Sequence, residues 1–160
     1  MRIVVNSSPL IALGCIDKIG LLKVLFNEVY IPREVYRETV IQGKNDLVES
    51  SIRKYGIIIK EINSEISVNL LTEILDKGES EVIVLANELK IENVLIDELK
   101  GRRIAEKQKL TVIGSLGVLL MAKQKKLIQG ITSSIETMQE NNIRISEKLK
   151  RAILAEAKEI

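Results

Sequence analysis

The feature that most constrains this chain is an alternation. Apolar runs of strand length recur along it, separated by segments with helical periodicity. Arg2–Val5, Glu28–Ile31, Ile57–Lys60, Asn93–Ile96 and Leu110–Ile113 read as strands. Helices are predicted over 10–15, 19–26, from Pro32 through about 41, 46–54, 64–75, 78–90, 99–107, from Ser115 to about 126, 133–140 and 146–158. The start signals are local: Ser7 or Ser8 before Pro9, Pro32 at a first helical position, and Ser146 as an N-cap. Strands that alternate with helices form a parallel sheet wrapped on both faces. The expectation is one α/β domain over residues 1–160, with the last two helices (about 131–160) packing on it.

Composition narrows the chemistry. The chain has no His and a single Cys, Cys15. Zinc sites of His and Cys, Ser-His-Asp or Cys-His catalysis and an internal disulfide are thereby excluded. Carboxylates, hydroxyls, Lys, Arg or a hard metal ion are what remain. Lys plus Arg number 24 against 22 Asp plus Glu, so any basic surface must be local. The longest apolar stretch, Val112–Ala122, is interrupted by Gly114, Ser115 and Gly117 and is too short to span a bilayer. With a strand-like start and no secretory core, the reading is a cytoplasmic protein without a membrane partner.

In open parallel sheets, ligands bind beyond the carboxyl ends of the strands. There the sequence sets Asn6, Ser7 and Ser8, then Asp97 and Glu98, then Ser115. Two readings of Asp97 stand side by side. It is a turn residue capping the helix near Leu99, or a metal-binding carboxylate. On the helix from Gly78, Glu79 shares an arc with Val82, Ile83, Ala86 and Leu89, whereas Glu81 and Glu88 fall on the side predicted to face solvent. A carboxylate on an apolar face needs a partner or a metal unless it stays wet at the helix end. Glu38 lies at the flank of an arc of Val35, Tyr36 and Thr39, where an ion pair such as one with Arg37 is the alternative to a site role. Basic residues cluster after Asp97 (Lys100, Arg102, Arg103, Lys107, Lys109) and after Ser115 (Lys123, Lys125, Lys126). A phosphate backbone would explain them, and so would a solvated helix face.

Four blocks of this sequence resemble the PIN-domain family. They are Ile3-Val4-Val5-Asn6-Ser7-Ser8-Pro9-Leu10-Ile11-Ala12-Leu13, Val29 to Glu38, Gly78 to Ala86, and Val94 to Ala105 followed by Val112 to Gly117. The likeness runs nearly end to end and is strongest to a prokaryotic branch of predicted nucleic-acid-binding proteins related to VapC-type toxins. It implies a Rossmann-like α/β/α sandwich with a central parallel sheet. It also implies a divalent-metal-dependent endoribonuclease, the toxin half of a toxin–antitoxin pair, hydrolysing RNA with Mg²⁺ or Mn²⁺. By that resemblance Asn6, Glu38, Glu79 and Asp97 hold the metal, and Glu38, Glu79 and Asp97 carry catalysis. Ser8, Arg102, Arg103 and Ser115 then contact substrate. Asn6 stands where the family has a carboxylate, so the site lacks one formal charge, and Glu98, adjacent to Asp97, is the candidate to compensate. The alternative is a catalytically impaired PIN fold that binds nucleic acid or protein without cutting. A weaker third reading is a small α/β interaction module. Partners implied are RNA, an antitoxin protein and a second copy in a homodimer, with the helices over 10–26 and the C-terminal helices as the face, unless these simply cover the sheet.

Overall fold

A computed structural model describes all residues 1–160. Five strands form one sheet: β1 (Arg2–Val5), β2 (Glu28–Pro32), β3 (Ile58–Lys60), β4 (Asn93–Leu95) and β5 (Thr111–Ile113). Their order is β3-β2-β1-β4-β5 and every pairing is parallel, with Val4 opposite Tyr30 on one side and Val94 on the other. The α/β architecture with an all-parallel centre is as the alternation implied. Strand order reverses between β1 and β4, so the loops leaving them diverge and open a crevice at their carboxyl ends.

Ten helices flank the sheet: α1 (Ser7–Cys15), α2 (Gly20–Leu25), α3 (Arg33–Tyr36), α4 (Asp46–Tyr55), α5 (Glu65–Leu71), α6 (Lys77–Leu89), α7 (Leu99–Lys107), α8 (Ser115–Gln124), α9 (Thr132–Glu140) and α10 (Glu147–Glu156). Side chains cap several starts. Asn45 accepts from Val48 N at 3.1 Å, Ser64 from Ser67 N at 3.2 Å, Asp76 from Glu79 N at 2.8 Å and Ser146 from Leu149 N at 3.1 Å. Each satisfies a donor that the helix itself leaves free.

Two helices differ from expectation. The segment after Pro32 is α-helical only to Tyr36; Arg37–Gln42 then widens into a π-helix, closed by Gly43 N donating to Glu38 O at 3.0 Å. The helix predicted over 64–75 ends at Leu71, because Asp76 needs extended backbone (φ −70°, ψ 169°) to cap α6.

One continuous apolar cluster runs from Ile3 to Ala157, so the strands and the last two helices share a core. Leu10, Leu13, Leu22 and Phe26 are buried in it, so the inner faces of the helices over 10–26 cover the sheet, while Val24 on the outside is 65% exposed. α9 packs on α1 and α10 on α8. Glu159 fastens that end: its carboxylate accepts from Ile131 N, Thr132 N, Thr132 Oγ1 and Lys123 Nζ, the last at 2.8 Å. Burial pushes the Glu159 carboxyl up, but these donors overcome it and bring the pKa down to about 2. A carboxyl depressed on folding supports the fold above its unfolded pKa and loses that support as pH falls toward 2. Glu159→Gln is therefore expected to cost about 1–2 kcal/mol near neutral pH and little near pH 2. Urea denaturation at both pH values is the check.

Candidate nuclease site

Asn6 directly follows β1, and its backbone N–H still pairs with Leu95 O at 3.0 Å. Asn6 is buried and is the N-cap of α1, without a capping bond from its side chain. The next residue, Ser7, donates its hydroxyl to Glu38 Oε2 at 2.7 Å. Ser7, and not the exposed and unbonded Ser8, is thus the hydroxyl that meets an acidic side chain. Glu38 reaches it from the π-helical turn. Burial raises the Glu38 pKa, the Ser7 bond opposes this, and the charges of Asp76 and Glu34 add to the rise.

Glu79 comes from the first turn of α6. It is buried, and its Oε2 is the one buried side-chain oxygen or nitrogen in the protein with no hydrogen-bond partner. Burial, with the neighbouring carboxylates of Asp76 and Glu98, raises its pKa to about 7. Two glycines make room here. A Cβ on Gly78 would come within 2.6 Å of Glu38 Oε1, and one on Gly101 would collide with Glu79 Oε2.

Glu81 is buried, against the expectation that it faces solvent, and Glu88 is half-buried. Glu81 Oε1 accepts from Glu34 N at 3.3 Å, and Glu88 accepts from Asn63 N and Ser64 N at 2.8–2.9 Å. The reason is packing: α6 lies between the sheet and helices α3 and α5, so every residue from Gly78 to Ala86 is buried. Glu34, also buried, is fixed by Arg37, whose Nε donates at 2.8 Å, and by Lys77 at 3.9 Å. The bond from Arg37 holds the Glu34 carboxyl below the usual range against the effect of burial. Arg37 thus pairs with Glu34, leaving Glu38 to Ser7.

Asp97 follows β4 and turns to a different partner. Its Oδ1 accepts from Ser115 N at 2.7 Å, so it caps α8 and not the helix that begins at Leu99. Burial raises its pKa, while the bonds from Ser115 and the nearby Arg102 charge pull it back. Arg102 is tied to Ile96 O at 2.8 Å and Arg103 lies exposed on the outer side of α7. Ser115 is buried. In the second basic cluster Lys123 is spent on Ala157 O and Glu159, leaving Lys125 and Lys126 exposed.

The crevice therefore brings Ser7, Glu38, Asp76, Glu79 and Glu98 into mutual influence, with Asp97, Ser115 and Arg102 as a second group. The sequence reading missed Asp76 and the part Ser7 plays. The signal for Asp76 was its spacing from Glu79, an Asp-x-x-Glu pattern that marks a helix start. In kind, the donors suit a hard divalent cation: all are oxygens, and one buried carboxylate oxygen is free. In spacing they form no closed cage, since no three carboxylates gather closely enough to hold an ion as they stand.

No helix is long and apolar enough to cross a membrane. No curated protein and no solved structure shows significant similarity to the chain. A family model described as a PIN domain matches residues 2–159, nearly the full length. With its all-parallel sheet and acidic crevice, the chain belongs to the PIN-domain family, a family associated with nuclease-type activity on nucleic acids.

Proposed function

We propose that this protein is a divalent-metal-dependent endoribonuclease that hydrolyses RNA phosphodiesters. The observation that carries the reading is the buried Glu79 carboxylate with its unpartnered Oε2, set among Asp76, Glu98 and the Ser7-bound Glu38. Burial makes the Glu79 carboxylate resist ionisation, the exposed Asp76 and Glu98 add negative charge beside it, and a bound cation would relieve that cost. To hold Mg²⁺ or Mn²⁺, Glu38, Glu79 and Asp97 would have to draw together with the neutral carbonyl oxygen of Asn6, and Asp76 would add a further oxygen beside Glu79. When bound, such an ion activates water and offsets the charge that builds on the phosphodiester. Ser7 keeps Glu38 aimed into the crevice, and the Ser115 N–H keeps Asp97 in place. A toxin role with an antitoxin, and a homodimer, belong to this proposal through the family likeness alone.

A second reading has its own support: a PIN fold that binds RNA without cutting. Asn6 contributes no charge, Asp97 is engaged by Ser115 beside Arg102, and no three carboxylates form a closed cage. The two separate in one experiment. Single-stranded RNA is incubated with the protein in Mn²⁺, in Mg²⁺ and in EDTA. Cleavage with either metal and none in EDTA is the expected result. Asp97→Asn keeps the oxygen that accepts from Ser115 but loses the charge, and is expected to cut on the order of tenfold more slowly. Binding without cleavage under all three conditions moves the function to the second reading. Equal cleavage by wild type and Asp97→Asn removes Asp97 from the site.

A further inference from the structure

Helix α7 starts at the crevice and leads away from it. Its inner side closes the site: Gly101 lies against Glu79, and Arg102 bonds to Ile96 O. Its outer side is basic. Lys100, Arg103 and Lys107 are all exposed, at spacings of three and four residues that put them on one face over about 10 Å. They line a shallow groove with Leu99, Ile104 and Glu106, and Leu99 is 63% exposed. The nine residues of α7 hold four cations and one carboxylate, a local charge of +3 where the entire chain has +2. None of these three cations forms a salt bridge to a carboxylate. Only Arg37, Arg53, Lys77 and Lys123 among the 24 Lys and Arg form salt bridges, so what sets this ridge apart is the gathering of three unpaired cations on one helix face that begins beside an acidic crevice.

We infer that the outer face of α7 is the track along which single-stranded RNA enters the site, its phosphates on Lys100, Arg103 and Lys107. The inference rests on a polynucleotide substrate for the crevice. Charge complementarity selects a polyanion. Leu99 and Ile104 add an apolar floor, which suits unpaired bases whose faces are open and not a duplex whose bases are stacked inside. Arg102 is not part of the track, because its guanidinium is held by Ile96 O.

The test uses a 20-nucleotide oligouridylate in EDTA, so that binding is read without cleavage. The affinity of wild type is followed against salt and compared with Lys100→Gln/Arg103→Gln/Lys107→Gln. A control, Lys125→Gln/Lys148→Gln/Arg151→Gln, removes the same charge from α10 and the end of α8. All six positions are exposed, and thermal melts check that both variants fold. The α7 variant is expected to lose roughly tenfold or more in affinity near physiological salt, and the slope of log K against log salt to fall by about 2. The control is expected to keep the wild-type slope. If the α7 variant fails to fold, Arg103→Gln alone replaces it, with an expected slope change of about 0.7. An unchanged slope in the α7 variant, an equal loss in the control, or equally tight binding of duplex RNA or of polyglutamate overturns the track. Failure here is distinct from failure of the nuclease reading. A protein that binds through α7 and cuts nothing keeps the track and loses the enzyme. A protein that cuts the oligomer equally well after the α7 change keeps the enzyme and loses the track.

Discussion

Glu79→Gln is expected to be more stable than wild type at about pH 8 and to show no metal-dependent RNA cleavage above background. The sign follows from burial. Folding raises the Glu79 pKa from 4.5 to about 7. The folded state therefore binds the proton more tightly than the unfolded one, and stability falls as pH rises through that window. Above it the ionised carboxylate costs up to about 3 kcal/mol, and Gln removes that cost without changing the side chain's size. Below about pH 4 the two proteins should differ little, since both side chains are then neutral. Denaturation at both pH values in EDTA measures this. Adding Mn²⁺ should stabilise wild type in proportion to its binding and leave the Gln variant unmoved. A Gln variant less stable than wild type at both pH values would make Glu79 a framework residue and withdraw it from the site.

The second large effect is expected at a residue with no functional group. A Cβ on Gly43 would sit 2.7 Å from both Glu38 O and Thr39 O. Backbone carbonyls cannot swing aside as a side chain can, so Gly43→Ala must deform the turn that presents Glu38. The expected cost is about 1–3 kcal/mol in stability. The effect on cleavage should be larger, because a displacement of roughly 1 Å at a catalytic group costs on the order of a hundredfold. π-helical turns of this kind are found frequently at functional sites. The two readouts separate the possibilities: cleavage that falls no further than the unfolded fraction explains would make Gly43 a purely structural glycine.

The sheet was legible in the sequence because the largely buried β1, β2 and β4 announce themselves as apolar runs. The outer β3 and β5 are exposed or half-buried but still carry paired branched residues, Ile58-Ile59 and Val112-Ile113, and all five lie within two residues of their predicted ends. The site was legible in part. Glu38 and Glu79 stand in the crevice, but Asp97 caps α8 through Ser115, a contact across eighteen residues that no local pattern reveals. Glu81 was misplaced because a helical wheel presumes one wet face, and α6 has none along its central turns. The π-turn left no trace either, since a hydrogen bond to the fifth residue has no residue signature comparable to a proline or a cap. Asp76 was readable and passed over: a capping residue and an acidic neighbour of the site are the same side chain.

The two outer strands, β3 and β5, are only three residues long, and β3 ends on Lys60. Such stubs offer little main chain for another molecule to zip onto, and a lysine at the rim adds repulsion between like copies. A chain that is 46% hydrophobic thus guards its sheet against fibre-like growth at both flanks.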